Sequence, residues 1–441
     1  MNLEHELQPF HYVASGLTYM RIGYSDLKKD QQSIDYYNNC FKKINGNNSH
    51  SLGLLHNAFS EKGLGPIVND LFDTDNYSNM TDSGGLQIIT TGSVITQEMK
   101  LKIYEYQLAN SEYAMSFDEI PLTVTGEKSS RNDYTNRFFD IEKFEECAKI
   151  SGKNYLEQIN IFLESGSSCK PIMIIHGNCY DTFLKWHDIM LNEIPDSKRK
   201  YIDIIALSGA SLGTGTLEDI ERAYALSEIA SQYKQVHFLG LGSIRRLLPY
   251  IIFKRNGLLD NIKISYDSTT HTSAPHMGRY FLNGKDYKFT REFDKRYEVI
   301  YNDINSKFDL DMSLEKFHET LNKPGSESIE GGYVFRAYCG FISSCILNFT
   351  KIVDDMYQHP ELIKHLPREL KTLTKLKTKD DIEHWFDEIS RFVHSRRIST
   401  EKRLDLDGFS DLVITKEMRE YKPPKPQKIS KEEKTNLKEF F

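Results

Sequence analysis

Between residues 113 and 269, five short apolar runs each stop at a glycine or a polar residue and give way to helical spacing. That rhythm restricts the fold more than anything else in the chain. Three of the runs are Tyr113-Ala114-Met115-Ser116-Phe117 before Asp118-Glu119, Pro171-Ile172-Met173-Ile174-Ile175 before His176-Gly177-Asn178, and Ile202-Asp203-Ile204-Ile205-Ala206-Leu207 before Ser208-Gly209. The other two are Val236-His237-Phe238-Leu239 before Gly240-Leu241-Gly242, and Ile262-Lys263-Ile264-Ser265-Tyr266 before Asp267-Ser268-Thr269. Between them, Phe144, Cys147 and Ala148, then Leu156, Ile159, Phe162 and Leu163, share one helical face. Leu217, Ile220 and Ala223 follow a Thr216 cap, and Ile244, Leu247 and Leu248 follow Ser243. Strands that repeatedly end in polar residues and feed amphipathic helices predict an α/β protein with a parallel sheet, its site on the face the strand ends share. A (β/α)8 TIM barrel fits best. An open doubly wound sheet satisfies the same periodicity, and a barrel needs two further strands from the first 80 residues, where the pattern is hard to parse.

Composition narrows the class. The 441 residues carry a net charge of −7, which argues against a uniformly basic nucleic-acid coat but permits local basic patches. No apolar run approaches the roughly 20 residues needed to span a bilayer, and Met1-Asn2-Leu3-Glu4-His5-Glu6-Leu7 lacks the basic and apolar regions of a signal peptide. A cytoplasmic protein without membrane contact is expected. The six cysteines, Cys40, Cys147, Cys169, Cys179, Cys339 and Cys345, have no paired Cys-x-x-Cys spacing and read as reduced, buried thiols.

Asp82, Asp118 and Asp267 lie at or just after strand ends, so a parallel barrel brings them to one mouth despite their distance in sequence. Asp82 opens Asp82-Ser83-Gly84-Gly85-Leu86-Gln87, in which two glycines let backbone close tightly around a flat ligand; a turn with Asp82 as a helix cap explains the same letters. Two carboxylates facing one anomeric carbon cleave a glycosidic bond with retention. One attacks, and the other first donates and later removes a proton. If the acceptor is a heterocycle rather than water, the outcome is base exchange.

These residues resemble the tRNA-guanine transglycosylase superfamily over roughly residues 75 to 340. The family's DSGGFQ motif is similar to Asp82–Gln87, its FDE strand end to Phe117-Asp118-Glu119, and its Gly-rich turn to Ala206-Leu207-Ser208-Gly209-Ala210-Ser211-Leu212-Gly213. His237-Phe238-Leu239-Gly240-Leu241-Gly242 is similar to its strand ending in Gly-x-Gly, and Ser265-Tyr266-Asp267-Ser268 stands where the family keeps its nucleophile. The resemblance implies that Asp267 attacks the anomeric carbon, Asp82 is the general acid and base, and Asp118 reads the purine edge. Ser83, Gly84, Ser208, Gly209, Ala210, Leu239 and Gly240 would complete the base site. His176 replaces the family's usual Gln and either hydrogen-bonds the base or is a plain loop histidine.

The departures are informative too. Val334-Phe335-Arg336-Ala337-Tyr338 survives, but its neighbours Gly331-Gly332 supply none of the family's zinc-knuckle cysteines, so no metal cofactor is expected. Cys339, Cys345, His359 and His365 have spacings unlike a structural zinc site. Leu86 stands for an aromatic residue, and Thr214 for the Glu of many bacterial members. Ser268 to Arg279 replaces the usual Pro-Thr-Arg run, with His271, His276 and Arg279 as candidate phosphate contacts. This pattern looks like the superfamily's DNA-modifying branch, which inserts 7-deazaguanine bases into DNA in bacteria and phages. The partners expected are DNA and a free 7-deazaguanine base, with base flipping required in a duplex. An enzyme acting on tRNA is the closest rival; a catalytically silent nucleic-acid-binding paralogue and an ordinary retaining glycosidase rank below it.

The sequence divides at residues 1–345 (barrel), 346–420 (helical, partly basic) and 421–441 (a Lys/Pro-rich disordered tail). Ile382, Trp385, Phe386, Ile389, Phe392 and Val393 form a helical stripe, and Lys375, Lys377, Arg396 and Arg397 sit in the most basic stretch, either a phosphate-contacting surface or a solvated helix face. Leu437, Phe440 and Phe441 resemble the anchors of a sliding-clamp-binding peptide; a greasy terminus docking on its own domain is the alternative.

Overall fold

The computed structural model describes residues 10–15, 31–47, 52–59, 78–128, 134–208, 216–282, 285–288, 293–322, 331–363 and 366–387. Eight parallel strands close into a barrel: β1 (Phe10–Ser15), β2 (Leu52–Asn57), β3 (Ser78–Asp82), β4 (Tyr113–Met115), β5 (Lys170–Ile175), β6 (Ile204–Ser208), β7 (Gln235–Leu239) and β8 (Lys263–Ser268). Each pairs with its neighbours in sequence, and β8 pairs with β1. The two strands required of the first 80 residues are β1 and β2, and closure excludes the open sheet.

Helices cover the outside: α1 (Gln31–Asn47), α2 (Gly85–Thr91), α3 (Gln97–Asn110), α4 (Phe144–Ser165), α5 (Tyr180–Asn192), α6 (Thr216–Ile229) and α7 (Ile244–Arg255). Ser243 occupies the N-cap position of α7, although its side chain makes no capping hydrogen bond. Two antiparallel hairpins leave the alternation, Leu122–Lys128 with Tyr134–Phe139 after β4, and Arg279–Leu282 with Lys285–Lys288 after β8. Then come α8 (Lys295–Phe308), α9 (Leu314–Asn322), α10 (Gly331–Gln358) and α11 (Arg368–Leu373). Helix α10 runs unbroken past residue 345, so the change of composition there does not coincide with an element end.

Alternation along the strands separates two cores. Val13, Leu55, Met80, Met115, Ile172, Ile174, Ile204 and Ala206 fill the barrel interior. Residues at the alternate positions, such as Ile205, Leu207, Val236, Phe238 and Tyr266, face the helices. Beyond α11, residues 379–387 are helical. Ile382 and Phe386 are buried there, and Phe386 stacks on Tyr224 of α6 at 3.9 Å, so this part of the stripe is a core face. Ile389, Phe392 and Val393 lie outside the described residues. All six cysteines are free and buried. No described helix is long and apolar enough to cross a membrane.

Candidate active site

Continuing the inward alternation by one step past the apolar layer brings polar residues to the carboxyl ends of the strands. Asn57 and Asp82 are partners in register on β2 and β3, Ser208 and Leu239 on β6 and β7, and Asp267 lies across from Val13 on β8. Asp118 and His176 follow β4 and β5. The three aspartates separated in sequence therefore reach one mouth.

Asp82 is the last residue of β3, and Gly84 rather than Asp82 holds the N-cap position of α2. Asn57 Nδ2 donates to Asp82 Oδ2 at 3.2 Å. Burial, reinforced by the charges of Asp118 and Asp267, pushes the Asp82 carboxyl from the ordinary 3.8 up to about 7, while backbone N–H groups of Gly84 and Ser83 act in the opposite direction. Both glycines are required. Gly84 has φ +87°, and a Cβ there would meet Phe59 Cβ at 2.5 Å; a Cβ on Gly85 would stand 2.8 Å from Asp118 Oδ1. The double glycine thus presses the start of α2 against Asp118.

Asp118 is buried, and His176 Nε2 lies 2.7 Å from its Oδ2. His176 is no surface loop residue: it is fully buried with its ring 4.8 Å from that of Trp186. Its Nδ1 makes no hydrogen bond, and neither does the buried Ser83 hydroxyl. Both residues thus keep unused hydrogen-bonding capacity close to the carboxylates.

Asp267 Oδ1 accepts from Gly240 N–H at 2.7 Å and lies 3.3 Å from His237 Nε2. The β7 loop approaches β8 closely, for a Cβ on Gly242 would overlap Ser268 Oγ at 2.0 Å. Gly-x-Gly is therefore a packing requirement that also aims an N–H at the carboxylate. On β6, the Ser208 carbonyl accepts from Arg222 Nη2 at 2.7 Å. Arg222 is fully buried beside Asp219, whose carboxylate also accepts from Arg246 at 2.8 and 3.1 Å.

Beside Gly240, whose N–H holds Asp267, a cleft of about 570 Å³ opens between the β7 and β8 loops and α10; the three aspartates are not among its lining. Gly240, Arg245, Arg246, His271, Arg279 and Phe349 are among its lining. Arg279 lies 5.5 Å from the Phe281 ring. His271 is buried, its Nδ1 2.8 Å from Tyr12 Oη, and burial pushes it down to about 3, so it offers the cleft a neutral ring rather than a charge. His276 is exposed beside Tyr338, and Lys375 and Lys377 are exposed beyond α11; none of these three lines the cleft. Leu86 is partly buried and packs on the outer core rather than into the barrel. Gly209, Ala210, Thr214, Arg396, Arg397, Leu437, Phe440 and Phe441 lie outside the described residues. Among the described residues, no group of three or more His, Cys, Asp or Glu is arranged to hold a metal ion.

Four residues in or behind the site escape a reading of the sequence. Asn57 lies in the unparsed first segment, and Trp186 reads as an ordinary helix residue. His237 sits inside a run read as apolar, where a polar residue at an inward position is the signal. Arg245 follows directly on Gly-x-Gly and Ser243, and a cation just after a barrel strand is a signal of the same kind.

Fold and site together define a closed (β/α)8 barrel with three convergent carboxylates at the carboxyl ends of its strands. A scan against protein-family models gives no match, and a search of curated proteins gives none.

Proposed function

We propose that this chain is a base-exchange transglycosylase acting on DNA, replacing guanine with a 7-deazaguanine derivative through a covalent glycosyl–aspartate intermediate. The observation that carries this reading is the convergence of Asp82, Asp118 and Asp267 with Asp82 held near pH 7. A proton carrier that must first give and then take a proton works best with its pKa near the operating pH. Asp267 is the nucleophile, steadied on Oδ1 by Gly240 N–H. Its attack on the anomeric carbon breaks the bond to guanine, which leaves with the bonding electrons and takes the Asp82 proton. The incoming base returns a proton to Asp82, attacks the same carbon from the vacated side and expels Asp267.

Asp118 is the group that selects the base. A carboxylate accepts from the paired N–H donors on a guanine-like edge, which adenine lacks. His176, 2.7 Å away, fixes its orientation. The DNA assignment draws on the altered Ser268–Arg279 segment and on the missing cysteines beside Gly331-Gly332. Arg245 and Arg279 in the cleft beside Gly240 supply positive charge where a strand leading to an extruded nucleotide has to run.

The test offers labelled guanine, or a labelled 7-deazaguanine, with duplex DNA, single-stranded DNA or tRNA. Label entering DNA is the expected result. Label entering tRNA alone overturns the DNA assignment while keeping base exchange, and no label in any strand overturns the enzyme reading in favour of a silent paralogue.

A further inference from the structure

Below the carboxylate layer the barrel interior is apolar on most strands, lined by Val13, Leu55, Met80, Met115 and Ile172. Between β7 and β8 it is not. There the inward positions bring Gln235, Ser265, His237 and Asp267 together in a column, with Ser265 in register with His237. Gln235 Nε2 donates to Ser265 Oγ at 3.1 Å, Ser265 Oγ lies 3.0 Å from His237 Nδ1, and His237 Nε2 lies 3.3 Å from Asp267 Oδ1. His237 is 0% exposed and Ser265 1%. Polar groups in such surroundings are unfavourable unless each is partnered, and the pairing continues on β1, where His11, in register with Ser265, has its Nε2 3.0 Å from Ser78 Oγ.

The donors run in one direction. Ser265 Oγ receives from Gln235 and has two acceptors in reach, His237 Nδ1 at 3.0 Å and the Val236 carbonyl at 3.4 Å. Because a carboxylate only accepts, the neutral tautomer that pairs both ring nitrogens puts Nε2–H toward Asp267 and lets Nδ1 accept from Ser265. Gly240 N–H meets the same oxygen. Among the described residues nothing donates to Oδ2.

We propose that His237 is a positioning residue for Asp267: with Gly240 N–H it holds Oδ1, so that Oδ2 is the atom that attacks the anomeric carbon. This rests on the base-exchange reading. In the first half-reaction an Oδ2 lone pair forms the bond to the anomeric carbon as the bond to the base breaks, and negative charge on Asp267 is lost. In the second half that bond breaks and the charge returns. Donors on Oδ1 stabilise the departing carboxylate more than the ester, so without His237 the ester breaks down more slowly.

The experiment uses the full chain, a labelled oligonucleotide that the wild type modifies, and the variants His237→Leu, His237→Gln and Ser265→Ala. His237→Leu is expected to lower kcat by about tenfold to a hundredfold with little change in the KM for free base. The fraction of strand retained on protein in a denaturing gel is expected to rise. His237→Gln, whose amide N–H stands in for Nε2–H, is expected to recover most of the rate, and Ser265→Ala to fall between. A His237→Leu enzyme as fast as wild type overturns the assignment, as does one whose loss of rate is matched by His237→Gln without retained strand. If His237→Leu lacks a cooperative melting transition, Ser265→Ala decides in its place, and wild-type values for both readouts overturn the assignment. A wild type that exchanges no base overturns the base-exchange reading itself, and the assignment with it.

Discussion

Asp82 joins a proton-transfer role to a stability effect through one property, a carboxyl pushed up to about 7 by burial and by the neighbouring Asp118 and Asp267. A folded-state value above the unfolded one means that the protonated form is favoured by folding. The contribution is fully present below about pH 4 and is lost as pH rises through about 7, at roughly 1.4 kcal/mol for each pH unit between the folded and unfolded values. Asp82→Asn does not ionise and so escapes that loss, and its melting temperature is expected to gain on the wild type between about pH 4 and about pH 7; parallel curves from thermal scans contradict the assignment. Formation of the covalent adduct needs the protonated form, so its single-turnover rate is expected to fall above about pH 7 and to lose that limb in Asp82→Asn. Gly85 makes a second residue-level prediction. A methyl group there collides with Asp118 Oδ1 at 2.8 Å, and Gly85→Ala is expected to raise the KM for free base well beyond its effect on folding, measured as KM beside a denaturant midpoint.

At the scale of elements, the segment from β6 to α7 is tied down by buried charge. Asp219 holds Arg222, which reaches the Ser208 carbonyl, and Arg246, which reaches the cleft. Asp219→Ala leaves Arg222 buried without its counter-ion and is expected to lower unfolding free energy by about 3–5 kcal/mol in urea titration. A loss under about 1 kcal/mol contradicts a buried network. The same elements show why parts of the sequence were readable. The apolar runs of β4 to β8 announce themselves because both faces of a barrel strand are buried, so Met173 and Ile174 are both apolar although they face opposite ways. Strands β1 and β2 carry His11, Gly53 and His56 among their apolar residues, which breaks the pattern that identifies a buried strand. Asp82, Asp118 and Asp267 were legible because they sit where strands stop. Asn57 and His237 were not, since one belongs to an unparsed strand and the other is a polar residue in the middle of an apolar one.

At the scale of the whole molecule, closure of the barrel is what turns separated aspartates into one site. Pairing of β1 with β8 brings Val13 beside Asp267, while pairing of β2 with β3 brings Asn57 beside Asp82. We extend the proposal to the C-terminal peptide, whose Leu437, Phe440 and Phe441 resemble sliding-clamp anchors and would tether the chain to DNA. Deleting residues 434–441 is therefore expected to leave exchange on short oligonucleotides unchanged; loss of activity there contradicts the tether reading. The central claim is that a carboxylate at the end of β8 becomes covalently joined to the nucleic acid. It is tested by mixing the full chain with a labelled oligonucleotide in the absence of added free base, resolving it on a denaturing gel and mapping the attached strand by peptide mass spectrometry. The account predicts a strand-bearing peptide modified at Asp267, lost in Asp267→Asn and accumulating less above about pH 7. Attachment at Asp82 or another residue, or full base exchange by Asp267→Asn, contradicts it.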